Sequence, residues 1–292
     1  MEYIVIPNNI NDIDLYMDNG INTFIVGLTD YSINYPSIDI LEIEKLSKKC
    51  NLFVAINKNI FNSELDDVLD KLKKIESMNI LGVLYYDLGI LNMVKENNLN
   101  IDLVWHQTHM VTNYNTCNYY YDNGVKYGFL ANEITLDEML EIKNNTKMKL
   151  MVEVFGYPVA SHSRRLLLTN YFKSINKEKE NRTYNLADRV GNLRIKETKD
   201  GTTILNGYIT NGTKPLFDLI KNGMDYLVLD MQEIDEKIGL EVVKEYNYIA
   251  NNIDKISEKE KEEIIDKMNI LIGNNTNFFY KKTIYKVKRG DK

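Results

Sequence analysis

A chain of 292 residues, 44% of them hydrophobic, is long enough to build one large α/β domain around a sizeable core. Its net charge of −6 excludes wholesale wrapping of nucleic acid, because neutralising phosphates needs clustered Lys and Arg. The two cysteines, Cys50 and Cys117, give neither a disulfide framework nor a Cys-rich metal site.

The chain opens on Met1-Glu-Tyr-Ile-Val-Ile-Pro7, which has no basic start or small-residue cleavage site and reads as a first strand. No apolar run of about 18 residues suggests a membrane span, so a cytoplasmic location without membrane contact is expected. Short β-branched runs then recur at 3–6, 23–28, 52–56, 80–86, 103–105, 127–130, 149–155 and 226–229. Near-continuous apolar runs of this kind fit parallel strands buried on both faces.

Helical patterns fall between the strands. Residues 10–17 carry apolar side chains at 10, 13 and 17, and residues 63–78 place Leu65, Val68, Leu69, Leu72 and Ile75 on one stripe. Thr135 and Glu138 form a capping-box pattern at the start of a helix over 135–142. Eightfold alternation of strand and helix predicts a (β/α)8 barrel, with an open doubly wound sheet as the alternative. The absence of a Gly-rich nucleotide turn favours closure. No crossover helix is evident between 171 and 214. Two short runs, 193–197 and 202–205, instead flank Thr198-Lys-Asp-Gly201, a hairpin turn signal. The expected organisation is a barrel over 1–232 with an insertion at about 172–213. Two charged helices follow, at about 233–251 and 257–271, and then a tail that adds a strand near 277–287.

Candidate chemistry concentrates where strands end, since loops on a rigid scaffold carry binding and catalytic groups. The segment 153–171 runs from a strand into a polar loop with Glu153, His162, Arg164, Arg165 and Asn170. Glu153 lies within an apolar run and needs a partner, for which Arg164 or Arg165 is the candidate. It is either a general base with a raised pKa or a tie for the loop. His106 and His109 follow the fifth strand, His162 follows the seventh, and Asp87 and Asp230 end the fourth and eighth. On one rim they make a divalent-metal site at His106 and His109 conceivable, with ordinary polar rim residues as the plain alternative. No Gly-x-Ser-x-Gly elbow occurs, and Cys117 reads as a small core residue. Residues 160–200 hold ten Lys/Arg against five Asp/Glu, either a solvated insertion or a phosphate-binding patch.

Several pieces of the chain resemble peptidase family U32, the collagenase-like proteases. They are Glu153-Val-Phe with Ser163, Arg165 and Leu167-Leu-Thr-Asn-Tyr171; Thr112-Asn113 followed by Asn132-Glu-Ile-Thr-Leu-Asp-Glu138; Asp200-Gly-Thr-Thr-Ile-Leu-Asn206; and Thr283-Ile-Tyr-Lys-Val-Lys288. The resemblance implies a barrel with one of two activities. One is peptidase action; the other is hydroxylation, including that of tRNA wobble uridine, by relatives that hold an iron–sulfur cluster on cysteines and sometimes pair with a homologous subunit. This chain departs from the family where it matters. The signature cysteines fall near Val159 and Leu166, and the basic ending of the last strand is here Val228-Leu-Asp-Met-Gln232. With only Cys50 and Cys117, no cluster is expected, because four thiolates are needed.

The expectation is a rim site with Glu153 and His162 as catalytic groups and Asn113, Arg164, Arg165, Asn170 and Asp230 as substrate contacts. RNA or tRNA would meet Arg164, Arg165 and the 173–199 insertion, and a homologous subunit is a candidate partner. A role in or beside tRNA modification is preferred over peptidase or other hydrolase activity, and a non-catalytic subunit is the further alternative.

Overall fold

The computed structural model describes residues 1–188 and 191–281. In chain order its first half runs β1 (Glu2–Ile6), α1 (Ile13–Asp18), β2 (Thr23–Leu28), a two-residue β3 (Ser37–Ile38), α2 (Ile40–Leu46), β4 (Asn51–Ile56), α3 (Leu65–Glu76), β5 (Gly82–Tyr85), α4 (Leu88–Glu96), β6 (Leu103–Trp105) and α5 (Tyr114–Asp122). Its second half runs β7 (Tyr127–Phe129), α6 (Leu136–Asn145), β8 (Lys149–Gly156), β9 (Val159–Ser163), α7 (Leu167–Ser174), β10 (Tyr184–Asp188), β11 (Gly191–Thr198), β12 (Gly201–Leu205), β13 (Thr210–Asn211), α8 (Thr213–Lys221), β14 (Tyr226–Asp230), α9 (Glu236–Asn252) and α10 (Glu258–Ile272).

Strands β1, β2, β4, β5, β6, β7, β8 and β14 pair in parallel in that order, and β14 returns to β1. The sheet is therefore a closed (β/α)8 barrel, not the open alternative. Alternating side chains fill it. Ile4, Ile25, Phe53, Leu84, Val104, Tyr127, Met151 and Tyr226 point inward, while Val5, Phe24, Val54 and Val83 pack outward under the helices. Phe53, Tyr127 and Tyr226 meet edge-on, 5.3 to 5.9 Å apart, and plug the N-terminal end of the interior. The Thr135–Glu138 capping box forms as the sequence predicts, and Asp235 and Ser257 cap α9 and α10.

Beyond β8 the structure corrects the polar-loop expectation. Strands β10, β11, β12 and β9 form a separate four-stranded antiparallel sheet, with the hairpin turn at Lys199-Asp200 between β11 and β12. Helix α7 follows β9 directly. It lacks a local N-cap, since Leu166 occupies that position. Its free N–H groups at Leu168 and Thr169 donate instead to the Glu197 carboxylate on β11, at 2.8 and 3.2 Å. At the C-terminal end, residues 277–281 form a turn rather than a strand. The rest of the expected tail strand, the 283–288 stretch and Arg189 lie outside the described residues.

Candidate functional site: an acidic chamber at the barrel mouth

Side chains that end barrel strands meet at one mouth. Glu153 sits on the inner face of β8, one inward position above Met151. There the register with β14 shifts: Val228 pairs with Glu153, but Leu229 pairs with Phe155, so Val154 is an extra residue in β8. Asp230, two residues past inward-facing Val228, ends the neighbouring strand. Gly156 takes φ +134°, and a Cβ there would lie 2.7 Å from the Asp230 Cβ. A glycine is thus what lets the end of β8 pass against Asp230.

The cavity above these residues measures about 330 Å³ and is lined by Glu153, Asp230, His106, Tyr35, Asn132 and Phe129, among others. Glu153 is pushed up to about 8, first by burial and then by the charge of Asp230, against a hydrogen bond from Asn132. Asp230 is pushed up to about 6 by burial, opposed by Gln232 and by the Lys196 charge. At neutral pH the pair holds one proton, mainly on Glu153. His106 stacks on Phe129 with centroids 4.5 Å apart, and burial lowers it to about 4, so it is neutral. Its Nδ1 lies 3.3 Å from the Tyr35 hydroxyl. That hydroxyl is held well above its usual pKa by burial, Asp230 and Glu153, and remains a donor. The chamber therefore offers a protonated acid, a carboxylate, a phenol and a neutral imidazole on a stacked aromatic wall. Among the described residues no Lys or Arg lines it.

A polar network holds the carboxylates in place. The Gln232 backbone N–H donates to Asp230 Oδ1 at 2.9 Å, and its side-chain amide donates to the Asn34 carbonyl at 2.7 Å. Asn34, at φ +61°, accepts at its own Oδ1 from Thr203 Oγ1, 2.6 Å away. His162 Nδ1 lies 2.9 Å from that same hydroxyl. With the Thr203 proton committed to Asn34, Nδ1 is the donor in that contact. Asn34 thus joins Thr203 of the antiparallel sheet to Gln232 beside Asp230.

The expected site residues separate into two groups. Glu153, Asp230, His106 and His109 line the chamber. His109 is exposed and pairs with Glu133 at 3.1 Å. Among the described residues no group of three or more His, Cys, Asp or Glu is placed to hold a metal ion. His162 does not line the chamber but packs within the second sheet. Asn113 caps α5, accepting from the Thr116 N–H at 2.9 Å. Asn170 is exposed on α7. The expected pairing of Glu153 with arginine does not form: Arg164 lies over the Phe61 ring, 4.6 Å from its centroid, and Arg165 is exposed. Tyr35, Asn132 and Gln232 belong to the site without being among its expected residues. Asn132 and Gln232 stand in stretches compared with the family, while Tyr35, in the β2–β3 loop, carries no sequence signal.

An iron–sulfur cluster does not fit this chain. Both thiols are buried and pushed up, Cys50 to about 11 and Cys117 to about 12, chiefly by desolvation, and they sit apart in the outer core, Cys50 just before β4 and Cys117 on α5. Neither lines the chamber.

A closed (β/α)8 barrel with a carboxylate chamber at its C-terminal mouth, roofed by an inserted antiparallel sheet, defines the class. The sequence matches the model of peptidase family U32 over residues 8–287, and the chain belongs to that family. It is 26% identical to tRNA hydroxylation protein P2 of Bacillus subtilis, over 97% of this chain and 99% of that protein. It is 25% identical to tRNA hydroxylation protein P of Haemophilus influenzae over 83% of this chain, and spans about half that protein's length (54%). A solved U32 peptidase structure covers 78% of this chain and 91% of its own at 12% identity, with a TM-score of 0.47. No described helix is long and apolar enough to cross a membrane.

Proposed function

We propose that this chain acts in tRNA hydroxylation, as a substrate-binding or supporting component rather than as a peptidase. The observation that carries this reading is its end-to-end likeness to tRNA hydroxylation protein P2, in which nearly all of both chains align. The chamber supports it. An uncharged planar ring, such as a nucleobase, has the His106–Phe129 stack as a wall and both a donor and an acceptor at the Glu153–Asp230 pair. A phosphate or carboxylate would meet two acids and, among the described residues, no cation. A nucleophilic peptidase role has less support, because both thiols are buried and held protonated.

The same burial favours a second element of the reading. Any cluster chemistry would come from a cysteine-bearing partner chain, with this chain holding or presenting the RNA. A cytoplasmic site of action accompanies that role. The test is nucleoside mass spectrometry of tRNA from a host lacking the gene, complemented with the wild type or with Glu153→Ala. Loss of hydroxylated nucleosides on deletion, restored by the wild type and not by Glu153→Ala, is the expected result. Unchanged hydroxylation after deletion would end the reading.

A further inference from the structure

We propose that the outer face of α7, with the β9–α7 junction and Phe61, docks a single-stranded segment of tRNA beside the chamber. The inference rests on the tRNA reading above and adds where the RNA is held.

Charge is the first observation. In a chain of net charge −6, no acidic residue occurs between Glu153 and Glu178. Five cations further along the insertion are engaged by carboxylates. Lys179 pairs with Glu197, Arg182 with Glu180, Arg194 and Lys196 with Glu233, and Lys199 with Asp30, at 2.6 to 3.9 Å. Arg164, Arg165, Lys173 and Lys177 have no ion pair among the described residues and are exposed. Among the described residues the broad basic insertion thus reduces to four cations without an ion pair: two in the turn before α7, one on the helix and one just beyond it.

The second observation is aromatic. Tyr171 is 58% exposed on α7, whereas its neighbour Phe172 packs inward on Tyr184 at 5.2 Å. Phe61 is 56% exposed and carries the Arg164 guanidinium on its face. Exposed rings interleaved with free cations are the chemistry of single-strand binding, where bases stack and phosphates meet Arg and Lys. The third observation is place. Val159 and Ala160 of β9 line the chamber, and Arg164 follows the end of that strand, about 13 Å of extended chain away. A strand held on α7 is within a few nucleotides of the chamber. Glu197 fixes the helix there by accepting from the first-turn N–H groups and from Thr169 Oγ1 at 2.5 Å.

The experiment is fluorescence anisotropy of the full chain with labelled, unfractionated bacterial tRNA, titrated between about 50 and 200 mM salt. Arg164→Ala/Arg165→Ala is expected to weaken binding at least roughly tenfold and to flatten the salt slope by about 1.4, the value for two single-strand phosphate contacts. Tyr171→Ala is expected to lose roughly fivefold or more, with Tyr171→Phe retaining binding. Lys48→Ala/Lys259→Ala, which removes two exposed cations elsewhere, should leave affinity close to the wild type. Circular dichroism confirms that each variant is folded.

Wild-type binding that survives all the α7 changes with an unaltered slope overturns the inference, while tRNA hydroxylation that still depends on the chain would leave the broader reading standing. No salt-dependent tRNA binding by the wild type overturns it as well. Leu167 and Ile175 are also exposed on this face. If Leu167→Asp converts a dimer to a monomer without changing tRNA affinity, the face belongs to a second copy of the chain and the inference fails.

Discussion

The charge of Asp230 is, after burial itself, what keeps a proton on Glu153 at neutral pH. Neither carboxylate has a salt-bridge partner among the described residues, so the pair is balanced by protonation rather than by a cation. That arrangement fixes the sign of its pH dependence. Glu153 has a folded pKa of about 8 against an ordinary 4.5, and Asp230 about 6 against 3.8. Both therefore contribute stability that is full below the unfolded values and is lost as pH rises through the folded ones. The unfolding free energy from urea titrations should fall between about pH 5 and 9, by an amount on the order of 5 kcal/mol. Glu153→Gln should flatten the upper part of that fall. An identical pH profile for this variant would refute the shared-proton account.

His106 works in the opposite sense. Its folded pKa, about 4, lies below the ordinary 6.5, so its contribution is present at neutral pH and is lost as pH falls from about 6.5 toward 4. Histidine NMR should show the His106 ring still neutral at pH 5. Phe129→Ala removes the stacked wall, admits water and should raise that pKa.

Gln232 orients Asp230. Gln232→Leu removes the side-chain amide that donates to Asn34 but keeps the backbone N–H on Asp230. It should cost about 1–2 kcal/mol by urea unfolding, because the Asn34 carbonyl loses its donor in a partly buried place.

Glu197 anchors α7 from a distance. Its side chain is buried, and although burial opposes ionisation, hydrogen bonds from Thr169, Thr202 and Leu168 outweigh it and hold the carboxyl below its usual range. Glu197→Ala should destabilise by about 2–3 kcal/mol, the cost of losing hydrogen bonds to a charged group. Hydrogen exchange should accelerate first at the Leu168 and Thr169 amides. Exchange spread evenly through the barrel would contradict a local anchor.

Gly156→Ala introduces a Cβ into Asp230 at a φ that L residues rarely adopt. The expected loss exceeds about 2 kcal/mol, with a change in the Glu153 titration because the mouth must open to accommodate it.

The barrel was legible because parallel strands covered on both faces must be apolar on both, and runs such as Thr23–Leu28 are fully buried. Glu153 and Asp230 were legible for the same reason: a carboxylate that interrupts or ends such a run has few places to go but the mouth. Helix α7 was not legible, since its cap is supplied by Glu197 on a strand that follows it. His162 lies away from the expected rim because β9 leaves the barrel for the second sheet within a few residues of β8. Tyr35, Asn132 and Gln232 come from loops without periodicity, where nothing in the local sequence marks which side chain turns inward.

The extra residue in β8 decides how much room the chamber has. A strand of strict period two that turned Met151 and Glu153 inward would turn Phe155 inward as well. Because Val154 is unopposed, Phe155 is returned to the outer core, where it is fully buried beneath the helices. The space above Glu153 is therefore the volume of a ring diverted to the other side of the sheet. It depends on the spacing of residues in β8, not on the size of the residues that line it.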